Sequence, residues 1–107
     1  MSELIEVGER ENGEQIELSL HEALRVTLPE VRTAGFRWTL RVPEQPVCSL
    51  VKEHFDPPAA PPGGTGKHYW EFRAERAGTA QIVIEYARLW ERTSAPARSF
   101  SFSVHVT

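Results

Sequence analysis

Apolar and polar residues alternate along most of this chain, with a period of two residues rather than the about 3.6 residues of a helix. The clearest stretch is 99–106, where Ser and His alternate with Phe and Val. This period predicts β-strands that bury one face and expose the other. The same alternation predicts further strands around 16–20, 24–28, 36–42, 68–74 and 80–86, and a less regular one at 48–52.

Turn-forming residues separate these stretches, as an all-β fold requires. They are Asn12-Gly13, Pro29, Pro43 to Pro46, the Pro- and Gly-rich segment 56–66, Gly78 and Pro96. The pattern therefore predicts an all-β, immunoglobulin-like antiparallel β-sandwich of seven strands, or of eight if Leu4–Val7 also pairs. We expect Trp38 to fill the space between the two sheets. The other side chains expected inside are Phe36, Phe72, Ile82, Ile84, Phe100 and Phe102.

Length and composition narrow the possible functions. The 107 residues, 40% of them hydrophobic, suit a single domain spanning 1–107 with one core. The net charge of −3, with basic residues scattered, argues against a nucleic-acid partner. No apolar stretch approaches the ~20 residues that span a bilayer, so we expect no membrane partner. The N-terminus has no basic region followed by an apolar one, so we expect either a cytoplasmic protein or a mature secreted or periplasmic domain. We also expect a monomer.

Candidate catalytic and metal-binding residues form no recognisable set. His21, His54, His68 and His105 lie on separate segments without metal-ligand spacing. Cys48, the only cysteine, cannot form an intramolecular disulfide, and its place in a strand favours a small buried hydrophobe over a nucleophile. We therefore expect no enzyme activity, no metal and no cofactor.

Three short loop motifs, each between two predicted strands, carry the functional signal. They are Arg32-Thr33-Ala34-Gly35, Gly63-Gly64-Thr65-Gly66 and Arg88-Leu89-Trp90. Small residues in the first motif let backbone approach a partner closely. Glycine-rich backbone in the second can lie flat against a partner; a phosphate-binding loop is excluded because Pro61 and His68 replace the required Gly and Ser or Thr. Arg and Trp in the third are the residue types most enriched at binding hot spots.

Simpler interpretations of two of these motifs stay open at this point. Gly35 also suits a turn that requires a positive φ angle. Trp90 also suits a cap on the end of the core. We expect the three loops to lie together at one end of the sandwich if they form one binding edge.

The order and spacing of the motifs resemble those of chagasin-like inhibitors of papain-type cysteine peptidases. That family carries Asn-Pro-Thr-Thr-Gly, then an aromatic residue and a Trp two places on; here the stretch is Val31-Arg32-Thr33-Ala34-Gly35, with Phe36 and Trp38. The family's Gly-x-Gly-Gly is similar to residues 63–66, and its Arg-Pro-Trp to residues 88–90. Ala77-Gly78-Thr79 and Tyr86 also fit, so the resemblance covers about 12–106.

The resemblance implies an immunoglobulin-like sandwich that reversibly occludes the active-site cleft of a papain-like cysteine peptidase. Thr33 and Gly35 would lie at the catalytic centre. Residues 63–66 would line one cleft wall, and Arg88 and Trp90 would hold the other. Arg32 and Leu89 replace the family's two prolines, which predicts less rigid loops and a larger entropy loss on binding. The alternative is a non-inhibitory module that binds another protein through the same loops.

Overall fold

The computed structural model describes residues 4–32, 35–41, 46–58, 64–88 and 97–107. Eight strands account for most of them: β1 Leu4–Val7, β2 Gln15–Leu18, β3 Ala23–Glu30, β4 Phe36–Leu40, β5 Cys48–Asp56, β6 Gly66–Ala74, β7 Gly78–Arg88 and β8 Arg98–Val106. A 3-10 turn, Glu9–Glu11, lies between β1 and β2. Within the same ranges, no helix has the length and apolarity to cross a membrane.

The strands form two four-stranded sheets, in the orders β1-β3-β6-β5 and β2-β8-β7-β4. This arrangement confirms the predicted sandwich and shows that Leu4–Val7 does pair, as the eighth strand. Pairing is antiparallel except at two edges, where β1 runs parallel to β3 and β2 runs parallel to β8. The expected antiparallel sandwich is thus a mixed one. Parallel neighbours cannot be joined by a tight hairpin, and here the chain leaves the first sheet after β1, forms β2 in the second, and returns as β3.

The inward faces of both sheets form one continuous core. Six of the seven side chains predicted inside are buried there, namely Trp38, Phe72, Ile82, Ile84, Phe100 and Phe102. The seventh, Phe36, is half-buried at the end of β4 and stacks on Tyr86 with ring centroids 5.1 Å apart. Leu20, which the alternation placed with Ile16 and Leu18, is 44% exposed, because β2 ends at Leu18.

A β-bulge in β5 explains why the alternation at 48–52 is irregular. The pairing of β5 with β6 shifts by one residue between Leu50 and Lys52, leaving Val51 exposed. A bulge exchanges the faces to which the following side chains point. Before the bulge, Cys48 and Leu50 lie opposite inward-facing residues of β6; after it, Glu53 and Phe55 do so.

Candidate functional site

The three predicted loops leave the sandwich at the same end. In the first sheet, the last residue of β3, Glu30, pairs with the first residue of β6, Gly66. In the second sheet, the first residue of β4, Phe36, pairs with the last residue of β7, Arg88. The connections β3–β4, β5–β6 and β7–β8 therefore begin and end along one edge of the molecule, which we call the loop end.

The start of the first loop lies between the stems of the other two. The Arg32 guanidinium lies 3.7 Å from the centre of the Phe55 ring, beside the start of the β5–β6 loop. On the other side, the Val31 N–H donates to the Tyr86 hydroxyl at 3.3 Å, and that hydroxyl lies 3.5 Å from the Val31 carbonyl oxygen. Because Tyr86 belongs to β7, these contacts tie the first loop to the stems of both neighbours.

The turn of the first loop depends on a glycine. Gly35 has a φ of 84°, in the left-handed region, and its N–H donates to the Arg32 carbonyl at 2.9 Å. Only glycine adopts this φ without strain. The simpler interpretation of Gly35 as a turn residue is therefore correct, and it is compatible with a binding role. Thr33 and Ala34 lie outside the described residues.

A buried carboxylate lies at the foot of this loop. The Glu30 side chain is fully buried and accepts hydrogen bonds from the Trp38 backbone N–H at 2.7 Å, from His68 Nδ1 at 3.0 Å and from Arg32 Nε. Burial raises the pKa of the Glu30 carboxyl, but the hydrogen bonds from Trp38, Arg32 and His68 outweigh burial and hold its pKa below the ordinary 4.5. Glu30 therefore stays ionised, with its charge matched by neighbours.

His68 joins this carboxylate to a second one. Its ring is almost fully buried and stacks on Trp70 at 3.9 Å. Its Nδ1 faces Glu30, and its Nε2 lies 2.8 Å from a carboxylate oxygen of Glu53. The His68 ring therefore lies between two carboxylates, one fully buried and one half-exposed. Glu53 reaches His68 because the bulge turns it inward.

The second motif contains a glycine with no space for a side chain. A Cβ at Gly66 would lie 2.5 Å from the Asp56 carbonyl oxygen and 2.6 Å from the Phe55 ring. Gly66 is buried, Gly64 is half-buried and Thr65 is exposed. The glycine therefore allows the β5–β6 hairpin to close tightly beside Phe55, the ring that Arg32 covers. Gly63 lies outside the described residues.

Aromatic side chains support the start of the third loop. The Arg88 guanidinium lies 4.9 Å from the centre of the Phe36 ring. Tyr86 packs between Phe36 and Trp38, at centroid distances of 5.1 and 4.7 Å. The start of the third loop therefore packs against the same aromatic cluster as the end of the first loop. Leu89 and Trp90, including the predicted anchor, lie outside the described residues.

The described members of the predicted site thus lie at one end. They are Arg32, Gly35, Gly64, Thr65, Gly66 and Arg88. The motif analysis missed Glu30, His68 and Phe55, which support the first loop. A signal for two of them was present: Glu30 continues the buried positions of β3, and His68 continues those of β6. A charged or titratable residue at an inward position needs a partner inside the protein.

A two-sheet β-sandwich with three loops leaving one end has the architecture of the immunoglobulin-like class. A sequence profile described as Chagasin family peptidase inhibitor I42 matches residues 13–105. The chain therefore belongs to this family of peptidase inhibitors. Membership confirms the resemblance noted from the motifs and the expectation of an inhibitor rather than an enzyme.

Characterised relatives are similar over most of the chain. Chagasin from Trypanosoma cruzi is 24% identical over 100 residues, covering 89% of this chain and 91% of chagasin. The fold is similar to the crystal structure of the cysteine protease inhibitor EhICP2 from Entamoeba histolytica, with a TM-score of 0.88, 21% identity and coverage of 97% and 96%. It is also similar to PbICP-C in its complex with falcipain-2, with a TM-score of 0.63, 16% identity and coverage of 99% and 89%.

Proposed function

We propose that this protein reversibly inhibits papain-like cysteine peptidases by inserting its loop end into the active-site cleft. One observation carries the proposal: the start of the first loop lies between the stems of the other two and contacts both. Its contacts are Arg32 on Phe55 at 3.7 Å and Val31 on Tyr86 at 3.3 Å. A central loop with a support on each side is the shape needed to enter a cleft and rest on both walls. The cysteine protease inhibitor EhICP2 shares this fold.

Each loop has a distinct role in this proposal. Thr33 and Gly35 lie against the catalytic groups, where small residues allow close approach. Gly63, Gly64, Thr65 and Gly66 follow one wall of the cleft, and Arg88, Leu89 and Trp90 hold the other. The interaction blocks the cleft without a covalent step, so inhibition is stoichiometric and reversible.

A titration tests the proposal. Papain is mixed with increasing amounts of the purified protein, and residual activity is followed with a fluorogenic peptide. We expect activity to fall in proportion to added protein and to return on dilution. If no papain-like peptidase tested loses activity, the alternative of a non-inhibitory protein-binding module takes its place.

Variants of the loops test the mode of binding. Trp90→Ala should weaken inhibition by about 2 kcal/mol, roughly thirtyfold, because an aromatic anchor contributes much of an interface's binding energy. Thr33→Arg should also weaken it, because a long side chain cannot lie close to the catalytic groups. The matched control is Thr79→Arg, at an exposed position near the start of β7 and therefore at the opposite end. If all three variants inhibit like the wild type, the loop end is not the inhibitory edge.

A further inference from the structure

The Glu30 carboxylate is fully buried at the foot of a binding loop, which demands an explanation. Burying an ionised carboxylate costs free energy unless neighbouring groups compensate. Here three donors from three segments of the chain meet at Glu30: the Trp38 backbone, His68 and Arg32. The first two hold the carboxylate in place. The third is a residue of the binding loop itself.

Arg32 connects the buried Glu30 carboxylate to Phe55 in β5. Its Nε donates to Glu30, and its guanidinium carbon lies over the Phe55 ring, 3.7 Å from the ring centre. Guanidinium groups bind carboxylates and aromatic faces at the same time because they are planar and charged. Phe55 lies near the end of β5, where the second loop begins. Arg32 therefore fixes the first loop to the stem of the second.

The contacts of Arg32 with Glu30 and Phe55, which we call the clamp, lie at an informative position in the motif. Arg32 occupies the place where the chagasin-like motif has proline. A proline limits backbone freedom by its ring. An arginine held by a ring at its guanidinium and by a carboxylate at its Nε limits the same loop through side-chain contacts. The loss of rigidity expected from the missing proline is thus offset at this position.

We propose that Glu30 is a positioning residue for inhibition: it holds Arg32 over Phe55 and so orders the first loop before the peptidase arrives. This rests on the proposed function. An ordered loop loses less conformational entropy on binding. Removing the clamp should therefore weaken inhibition by about fivefold to tenfold, the cost of ordering one or two side chains.

The experiment compares wild type with Glu30→Gln, Phe55→Leu, Arg32→Pro and the double variant Glu30→Gln/Arg32→Pro. Glu71→Gln is the matched control, because Glu71 also accepts from an arginine, Arg25 at 2.7 Å, but on the outer face of the first sheet. Three quantities are measured for each: the inhibition constant against papain, the free energy of unfolding, and the amide hydrogen exchange of Gly35. The Gly35 N–H reports the turn of the loop directly.

Glu30→Gln and Phe55→Leu should each weaken inhibition about fivefold to tenfold and speed Gly35 exchange, whereas Glu71→Gln should do neither. Arg32→Pro removes the guanidinium on which Glu30 acts, and it is the reference for the double variant. In that background Glu30→Gln should change inhibition less than about twofold while still lowering the free energy of unfolding, because Glu30 acts on the loop through Arg32.

Four results would overturn the proposal. Inhibition and Gly35 exchange unchanged by Glu30→Gln would remove the positioning role. Equal weakening by Glu30→Gln with and without Arg32→Pro would make Glu30 a general structural support. Weakening by Arg32→Pro without any weakening by Glu30→Gln would mean that Arg32 acts by touching the peptidase directly. Unchanged Gly35 exchange in Phe55→Leu would show that the contact of Arg32 with Phe55 does not order the first loop. Failure of wild type to inhibit any papain-like enzyme would instead overturn the proposed function, and the exchange data would still decide whether the clamp exists.

Discussion

The Glu30 carboxylate accepts a hydrogen bond from the backbone N–H of Trp38 at 2.7 Å, across eight residues of chain. Glu30 ends β3 in the first sheet, and Trp38 lies in β4 of the second. The Trp38 indole Nε1 returns a bond to the Pro29 carbonyl at 2.7 Å. These two bonds join the sheets at the foot of the first loop. They hold the loop's ends at a fixed separation whatever its tip contacts.

Acid should weaken the protein partly through Glu30. Its pKa is lower in the folded protein than its ordinary 4.5. Its contribution to the free energy of unfolding is therefore complete above about pH 4.5 and is lost as the pH falls through the lower, folded value. Glu30→Gln should cost about 2 to 4 kcal/mol at neutral pH, because it leaves buried donors poorly matched. The gap between wild type and variant should narrow as the pH falls.

Urea unfolding at a series of pH values from about 7 to about 2.5 measures this gap. Other carboxylates titrate in both proteins, so their effects cancel in the difference. Two curves that stay parallel across the acid range would contradict the assignment to Glu30.

Gly66→Ala should damage the second loop and the stability of the hairpin that carries it. A Cβ there meets the Asp56 carbonyl at 2.5 Å, and backbone cannot move aside as a flexible side chain can. We expect a loss of about 1 to 3 kcal/mol in the free energy of unfolding, with weaker inhibition of papain. Gly8→Ala is the matched control, because a Cβ at Gly8 makes only an ordinary contact of 3.9 Å with the Thr27 carbonyl. Equal stability of the two variants would show that the hairpin is not tightly closed.

Tyr86→Phe should loosen the first loop on the side of the third. The change removes the hydroxyl that accepts from the Val31 N–H at 3.3 Å and leaves the ring contact with Trp38 in place. We expect the free energy of unfolding to fall by about 1 kcal/mol and papain inhibition to weaken. Tyr69→Phe, on the outer face of the first sheet, should inhibit like wild type. If Tyr86→Phe inhibits equally well, the Val31 contact does not matter for binding.

Cys48 should resist thiol reagents while the protein is folded. It is fully buried, and burial, with a smaller effect of Glu75, raises the pKa of its thiol. Both effects suppress the reactive thiolate. Labelling with a chromogenic disulfide reagent at mild alkaline pH should be slow in native protein and rapid in concentrated guanidinium chloride. Rapid labelling of the native protein would show that β5 opens readily.

Alternation of apolar and polar residues was enough to predict the sandwich and most of its core. It could not indicate strand direction, because a half-buried strand has the same pattern whether its neighbour is parallel or antiparallel. The parallel edges formed by β1 and β2 were therefore missed. The bulge at Val51 was visible only as a broken pattern, since one inserted residue exchanges the two faces.

The candidate site was predictable in its loops but not in its supports. Short motifs marked Gly35, Gly66 and Arg88 because glycine and arginine have recognisable roles at turns and interfaces. Glu30 and His68 belong to no motif, and they meet only because β3 and β6 pair in one register. Their inward position was readable from each strand, but their partnership required the structure.

β8 completes the second sheet by pairing with both β2 and β7. Glu17 of β2 and His105 of β8 lie side by side and hydrogen-bond at 2.9 Å, yet they are 88 residues apart in sequence. Closing so long a loop costs entropy that local contacts avoid, so this pairing belongs to the late events of folding. During translation β2 has no partner until β8 has left the ribosome. The edge of β7 that β8 will cover is open for the same period, and these two exposed edges are where a nascent chain of this protein is most prone to pair with a neighbour.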